Sequence, residues 1–315
     1  MPQRSLSLSM RDEAMMQSAL GVMLWAGAVA VVQPGWAPAL LLFGPLVLFP
    51  LLLERWGEAS ATLRRLCSVA ILPMIVSYAL PQGPLAGALA LPWLGLAIAL
   101  LVHRWKVNLA ARDPALLIKA YLVVGAGWLL MARLGQRPLE FEDVIVHATA
   151  MHFHYAGFML PILASLLLRA APTRGNALML IALLAGMPLV ATGITLSHFG
   201  VHIVETFAAC TFAGACIAFA GAQLRFGIVA KRPLLIVASV SLLTAMSLAI
   251  LYAIRHYWRI DAISIDFMIR THGPLQVLGF ALPATISWLF APELTDAIEP
   301  QRHRGTEKRI GSGIM

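Results

Sequence analysis

Charged side chains are scarce in this chain of 315 residues: only 12% are Asp, Glu, Lys or Arg, whereas 60% are apolar. A soluble globular domain carries about twice that share of charged residues, so the composition excludes an ordinary soluble protein. The mean hydropathy of +0.81 instead predicts an integral membrane protein. Because the usual relation between length and domain number holds for soluble chains, we expect one polytopic domain over residues 1–315.

Cysteine is also rare. Cys67, Cys210 and Cys216 lie in apolar segments at a spacing that fits no zinc knuckle. Buried apolar cysteine usually fills space, so we expect no structural disulfide. A cleavable signal is also lacking, since the polar residues 1–14 precede an apolar run without a clear small-residue cleavage site. That run is predicted to be the first membrane helix.

Long apolar runs dominate the chain, and a membrane-spanning helix needs about 20 such residues. The sequence therefore predicts an all-α, polytopic helical bundle with about ten transmembrane helices. Polar tails are predicted at 1–14 and 292–315. The predicted spans are 15–33, 36–53, 66–81, 85–102, 116–133, 144–168, 176–198, 202–223, 233–254 and 267–290.

The basic residues predict the orientation. With ten spans, 18 of the 23 Lys and Arg residues lie on the side of the N-terminus and five on the other side. Basic loops remain in the cytoplasm, so both termini are predicted to be cytoplasmic, in the inner membrane of a bacterial cell. The net charge of +8 is spread over short loops, and we therefore expect no nucleic-acid partner.

Histidines gather in one region of the chain. Seven of the nine fall in the predicted outer half of the last five spans, so residues 140–290 are predicted to be the functional half. The stretch "HATAMHFHYAGFMLP", residues 147–161, holds three of them. His152 lies nine residues after Asp143, roughly 13 Å into the membrane. Ionisable groups at that depth normally face a bundle interior or a water-filled cavity.

Helix geometry separates these histidines. His147 and His154 are seven residues apart and share one face. His152 and His154 are about 200° apart around the helix, so we expect one to point into a site and the other into a neighbouring helix. His198, His202 and Glu205 form a stripe if their helix is continuous. The stripe becomes a turn if the chain reverses near Gly193 or Gly200.

These positions predict a site for a divalent metal ion, zinc or iron, with haem as the alternative cofactor. A lone intramembrane histidine is more often a packing residue that hydrogen-bonds between helices, but several at one level favour a shared site. The predicted metal ligands are His152, His154, His198, His202 and His272. Glu205, Asp266 and Arg270 are the predicted catalytic residues, and His147, Glu142 and Tyr155 are predicted to support the ligands.

Two blocks of the sequence, "MHFHYAGF" at 151–158 and "THGPLQVLGF" at 271–280, resemble the YndJ-like family of bacterial membrane proteins. This resemblance implies a hydrophobic body of many spans, and the family is sometimes labelled as transporters.

Three functions remain open from the sequence. The first is a metal-dependent membrane enzyme that acts on a lipid or isoprenoid-like substrate. The second is a transporter of a small or lipidic substrate. The third is a haem-binding or electron-transfer protein.

Overall fold

The structure, a computed structural model, describes residues 2–258 and 262–291, with side chains from residue 11 onward. The predicted tail 292–315 lies outside the described residues. The described part is a bundle of helices without a strand, which confirms the predicted polytopic all-α fold. The long helices are α1 Pro2–Val32, α2 Trp36–Trp56, α3 Ala61–Tyr78, α4 Pro84–Val102, α5 Ala115–Leu134, α6 Asp143–Ala170, α7 Arg174–His198, α8 His202–Val229, α9 Pro233–Ala253 and α10 at 265–289. A short helix, Trp105–Ala111, lies between α4 and α5.

Nine helices of the described part, α1 to α9, are long and apolar enough to cross a membrane by length and composition. They match the first nine predicted spans. Residues 2–14, predicted as a polar tail, continue α1 as a helix. The tenth predicted span is helical in α10 but is interrupted at Thr271, whose φ and ψ are −119° and −63°. This interruption distinguishes α10 from the other nine.

Helix α2 lies at the centre of the bundle. It contacts α1, α3, α6 and α10, and nearly all of its residues from Ala39 to Leu53 are buried. Helices that follow each other in the sequence pack together, namely α4 with α5, α7 with α8, and α8 with α9. The central position of α2 brings α6 and α10 together, although they are far apart in sequence.

Three of the helices that meet at the centre contain π-helical segments: Gly44–Leu48 in α2, Phe153–Met159 in α6 and Leu275–Ala281 in α10. Pro50, Pro161 and Pro283 each follow the end of one segment by two residues. A proline inside a helix lacks the N–H of one hydrogen bond and clashes with the carbonyl four residues earlier. In each case that carbonyl lies within the π-helical segment, so the wider turn accommodates the proline. Such segments are frequent at functional sites.

A buried ion pair holds the predicted cytoplasmic ends of α3 to α5. The ammonium group of Lys119 in α5 is fully buried and lies 3.0 Å from a carboxylate oxygen of Glu58 in the loop before α3. Asn108 donates a hydrogen bond to the same oxygen, 3.1 Å away, and Arg104 lies 3.5 Å from the other oxygen. Burial alone would raise the pKa of Glu58, but the hydrogen bonds from Lys119 and Asn108 and the nearby cations hold it below its ordinary value.

The lowered pKa of Glu58 predicts a loss of stability in acid. Because the folded protein binds this proton less readily than the unfolded chain, the carboxylate stabilises the fold above its ordinary pKa of 4.5. That contribution is lost as the pH falls through the lower value in the folded state. Thermal unfolding in detergent should therefore show a falling midpoint below pH 4.5. In the variant Glu58→Gln this part of the pH dependence should be absent, and an unchanged acid profile would contradict the assignment.

Candidate functional site

One group of three potential metal ligands occurs among the described residues, at the predicted outer ends of α8 and α9. His202 and Glu205 lie one turn apart at the start of α8, and His256 lies in a short 3₁₀ turn that ends α9. One ligand atom from each residue lies within 4.8 Å of the other two. We call this group the outer triad.

Neighbouring polar groups hold the outer triad in place. Glu205 accepts a hydrogen bond from Arg255, 2.9 Å away, and its other oxygen lies 3.2 Å from Nε2 of His256. The hydroxyl of Ser197 lies 2.8 Å from Nδ1 of His202. If Nδ1–H of His202 donates to this hydroxyl, the other ring nitrogen of the neutral imidazole keeps its lone pair. That arrangement leaves Nε2 of His202 as a free acceptor.

The donor set of the outer triad fits a metal, although the rings must move to bind one. Two His and one Glu are a ligand set of catalytic zinc sites, which keep a fourth position open for water or substrate. The rings of His202 and His256 are stacked, with centroids 4.1 Å apart and planes 9° from parallel. A metal lies in the plane of each imidazole that binds it, so one of the two rings must rotate. As placed, the two stacked rings therefore cannot both bind one metal ion.

The turn before α8 creates this arrangement. Gly200 has a positive φ of 88°, which a residue without Cβ adopts at little cost, and the chain reverses there between α7 and α8. The reversal takes His198 away from His202 and Glu205. His198 packs its ring against Phe141 at 4.7 Å instead. The sequence left open a stripe or a turn at this place, and the structure has the turn at Gly200.

A second pair of histidines lies deeper, where α6 and α10 change into their π-helical segments. Nδ1 of His152 donates to the carbonyl of Ala148 at 2.7 Å, and Nδ1 of His272 donates to the carbonyl of Ala245 at 2.9 Å. Within residues 11–258 and 262–291, Nε2 of neither ring has a hydrogen-bond partner. The π-helical segments that follow the two histidines contact each other. We call His152 and His272 the deep pair.

His154 is engaged differently, although it is only two residues from His152. It is fully buried, and its Nδ1 donates to the carbonyl of Ala150 at 2.7 Å. Its Nε2 accepts a hydrogen bond from the indole N–H of Trp93 at 2.9 Å. Both nitrogens are thus occupied, and as placed His154 has no lone pair left for a metal. The two histidines point in different directions, as their 200° separation predicts.

The remaining predicted residues lie around an outer cleft of about 390 Å³ or have packing roles. Asp266 and Arg270 form an exposed ion pair of 2.9 Å, and both line the cleft together with Asp143 and His147. Tyr155 donates to the carbonyl of Leu40 at 2.6 Å and so joins α6 to α2. Glu142 is exposed at the start of α6. The structure therefore distributes the predicted residues over several places.

The profile of the YndJ-like protein family matches residues 39–280, which is more than half of the 315 residues. The chain belongs to the YndJ-like family. It is 26% identical over 197 residues to the Bacillus subtilis (strain 168) protein named "Uncharacterized membrane protein YndJ", an alignment that covers 61% of this chain and 36% of that protein. The chain thus spans well under half the length of this relative. No solved structure matches the chain.

The region matched by the YndJ-like family contains both the outer triad and the deep pair. Family membership and the apolar helices together give a multi-pass membrane protein. The sequence-based set of site residues omits His256 and Arg255, because both lie after the last apolar residues of α9 and look like loop residues. The predicted topology places both residues on the same side of the membrane as the start of α8. That placement is the signal that could have added them to the predicted site.

Proposed function

We propose that this member of the YndJ-like family is a metal-dependent membrane enzyme whose metal centre is the outer triad. The proposal rests on one observation: two imidazoles and a carboxylate, from two different helices, converge within 4.8 Å at the end of the bundle. His198, His154 and the deep pair are not part of this centre. Zinc and iron both accept this donor set.

The surroundings of the outer triad favour a lipidic substrate. Phe199, Phe207, Tyr257 and Trp258 are all more than half exposed around it. Aromatic side chains of this kind gather at the level of the lipid headgroups. A substrate that reaches the triad from the membrane would therefore present its polar headgroup region there, while its chains remain in the bilayer.

The residues around a bound metal would have different roles in catalysis. A bound metal would polarise an oxygen of the substrate or activate a water molecule. Arg255 would remain on the second oxygen of Glu205 and hold the carboxylate in one orientation. Ser197 would keep the Nε2 lone pair of His202 directed at the ion, as the second partner of a ligating histidine commonly does.

The metal content of the purified protein tests this proposal. We expect about one zinc or iron ion per chain in lipid nanodiscs, measured by plasma mass spectrometry. The variants His202→Gln, His256→Gln and Glu205→Gln should each lose most of it, since removal of a ligand or of its supporting partner weakens binding by ten-fold or more, roughly.

His198→Gln is the matched control, because His198 lies one short turn away and packs its ring against Phe141 and Phe199. It should retain the metal. Mass spectrometry of nanodisc lipids after incubation should then show a product in the native protein that is missing in His256→Gln. A native protein without metal, or equal metal content in all variants, would contradict the proposal. A Soret band in the absorption spectrum would instead show that the protein binds haem.

A transporter is the second candidate, supported by the interruption of α10 and by the outer cleft. Interrupted helices are typical of transporter binding sites. The break at Thr271 lies directly before His272, and the cleft lined by Asp266 and Arg270 opens at the start of α10. Uptake of solute by proteoliposomes without any change in the lipids would favour this second function.

A further inference from the structure

The short helix between α4 and α5 lies on the surface of the bundle, on the predicted cytoplasmic side. It runs from Trp105 to Ala111, and Asn108 is the residue that it buries. The side-chain amide of Asn108 donates a hydrogen bond to Glu58, 3.1 Å away. This contact ties the helix to the loop before α3, while its other residues are all exposed.

The exposed surface of this helix is both apolar and basic. Trp105, Val107 and Leu109 are 40%, 56% and 55% exposed. Lys106 lies among them, and Arg104 directly precedes the helix with 47% of its side chain exposed. Tryptophan and basic residues with apolar neighbours are typical of helices that lie in the headgroup region of a membrane. The short helix therefore has the composition of an interfacial helix.

An open depression of about 600 Å³ lies where α4 ends and the short helix begins. It is lined by Val102, Arg104, Trp105, Lys106 and Val107, and its volume is within the ordinary range of ligand sites. Arg104 turns the chain at this point with φ 58° and ψ 19°, a left-handed conformation that is costly for a residue with a Cβ. The turn brings two cations and two valines to one place.

The cations beside the depression lack a full counter-charge. Glu58 lies 3.5 Å from Arg104, but it forms a shorter ion pair of 3.0 Å with the buried Lys119. No carboxylate within residues 11–258 and 262–291 forms an ion pair with Lys106. The depression is therefore positively charged. Anionic lipids of the cytoplasmic leaflet attract basic side chains at the membrane surface, so the charge of the depression complements theirs.

We propose that this depression binds the headgroup of an anionic phospholipid of the cytoplasmic leaflet. The guanidinium of Arg104 and the ammonium group of Lys106 bind the phosphate through charge-assisted hydrogen bonds. Val102 and Val107 contact the first methylene groups of the acyl chains, and Trp105 lies at the level of the glycerol. The lipid is a bound partner of the bundle and not the substrate of the outer triad, which lies on the other predicted side.

Quenching of tryptophan fluorescence by brominated lipids tests this site in the full chain. Nanodiscs of phosphatidylcholine receive increasing shares of either phosphatidylglycerol or phosphatidylcholine that is brominated near the headgroup. The signal of Trp105 is the difference between the native protein and Trp105→Phe. Trp36, which is 54% exposed at the predicted outer end of α2, is the matched control and is measured in the same way with Trp36→Phe.

Phosphatidylglycerol should quench Trp105 at a mole fraction more than about ten-fold lower than phosphatidylcholine, because each basic residue near an anionic lipid contributes roughly a factor of five. The two lipids should quench Trp36 equally.

Variants distinguish the depression from the general positive charge of this side. Arg104→Gln and Lys106→Gln should each lower the preference of Trp105 for phosphatidylglycerol about five-fold, and the double variant should nearly abolish it. Lys231→Gln is the matched control, because Lys231 is an exposed cation on the same predicted side, in the loop between α8 and α9. It should retain the native preference.

Four outcomes would overturn the proposal. They are equal quenching of Trp105 by the two lipids, an unchanged preference in the double variant, an equal loss in Lys231→Gln, and displacement of the lipid by soluble glycerol 3-phosphate, which would indicate a site for a free anion. None of them depends on the metal content of the outer triad, so this proposal and the proposed enzyme can fail separately.

Discussion

The variant Glu58→Gln is expected to lower the free energy of unfolding by about 3 kcal/mol, because it leaves a buried cation without its counter-charge. Lys119 is fully buried, and Glu58 is its carboxylate partner at 3.0 Å. The ammonium group would keep only uncharged neighbours: the amide oxygen introduced by the substitution, the backbone carbonyl of His103 at 3.4 Å and the face of Trp56, whose ring centre lies 5.6 Å away. Thermal or denaturant-induced unfolding in detergent measures this loss.

A second substitution separates the charge from the shape of the side chain. Lys119→Met in the Glu58→Gln background removes the unpaired cation, and it should recover part of the lost stability. Arg104→Gln is the control, since Arg104 is 47% exposed and 3.5 Å from the same carboxylate. Its loss should cost less than about 1 kcal/mol. A Glu58→Gln variant as stable as Arg104→Gln would show that Lys119 does not need its counter-charge.

The variant His154→Ala is expected to destabilise the bundle by about 3 kcal/mol while the metal content of the protein stays unchanged. The substitution opens a cavity between Trp93 and Phe49, whose rings pack on the imidazole at centroid distances of 5.9 and 6.2 Å. It also leaves the buried indole N–H of Trp93 without an acceptor. Unfolding in detergent and metal analysis of the same preparation measure the two effects together.

His154→Phe and His152→Ala are the matched variants for this experiment. Phe fills the space but leaves Trp93 unpaired, so the loss should be intermediate. His152 is exposed and should cost little stability when replaced by Ala. A His154→Ala protein that folds normally and loses its metal would restore the sequence-based assignment of His154 as a ligand.

Most of the fold follows from the sequence, because membrane spans are set by long apolar runs. The positions of α1 to α9 were predictable from that property alone. The π-helical segments were not, although Pro50, Pro161 and Pro283 follow them at one fixed spacing. Pro73, Pro92 and Pro188 also lie inside helices, but these helices contain no π-helical segment. A proline inside a predicted helix therefore does not by itself predict a π-helical segment.

The candidate site was less predictable, because residues at one depth can still point to different neighbours. The histidines near the outer side suggested one shared site. The turn at Gly200 and the packing of His154 against Trp93 divide them into the outer triad, the deep pair and single packing residues. The hydrogen-bond partner of each histidine nitrogen depends on contacts between helices that are far apart in sequence. The spacing of residues within one helix does not predict such contacts.

The central position of α2 has a consequence for how the protein is made. Ribosomes deliver α2 to the membrane long before α6 and α10, the helices that will enclose it. Until they arrive, the faces of α2 that α6 and α10 will cover lie in lipid, and its mean hydropathy of 2.1 over its most apolar stretch suits that exposure. Later it must exchange lipid for protein contacts. The same apolar surface of α2 therefore contacts the bilayer first and the interior of the folded protein afterwards.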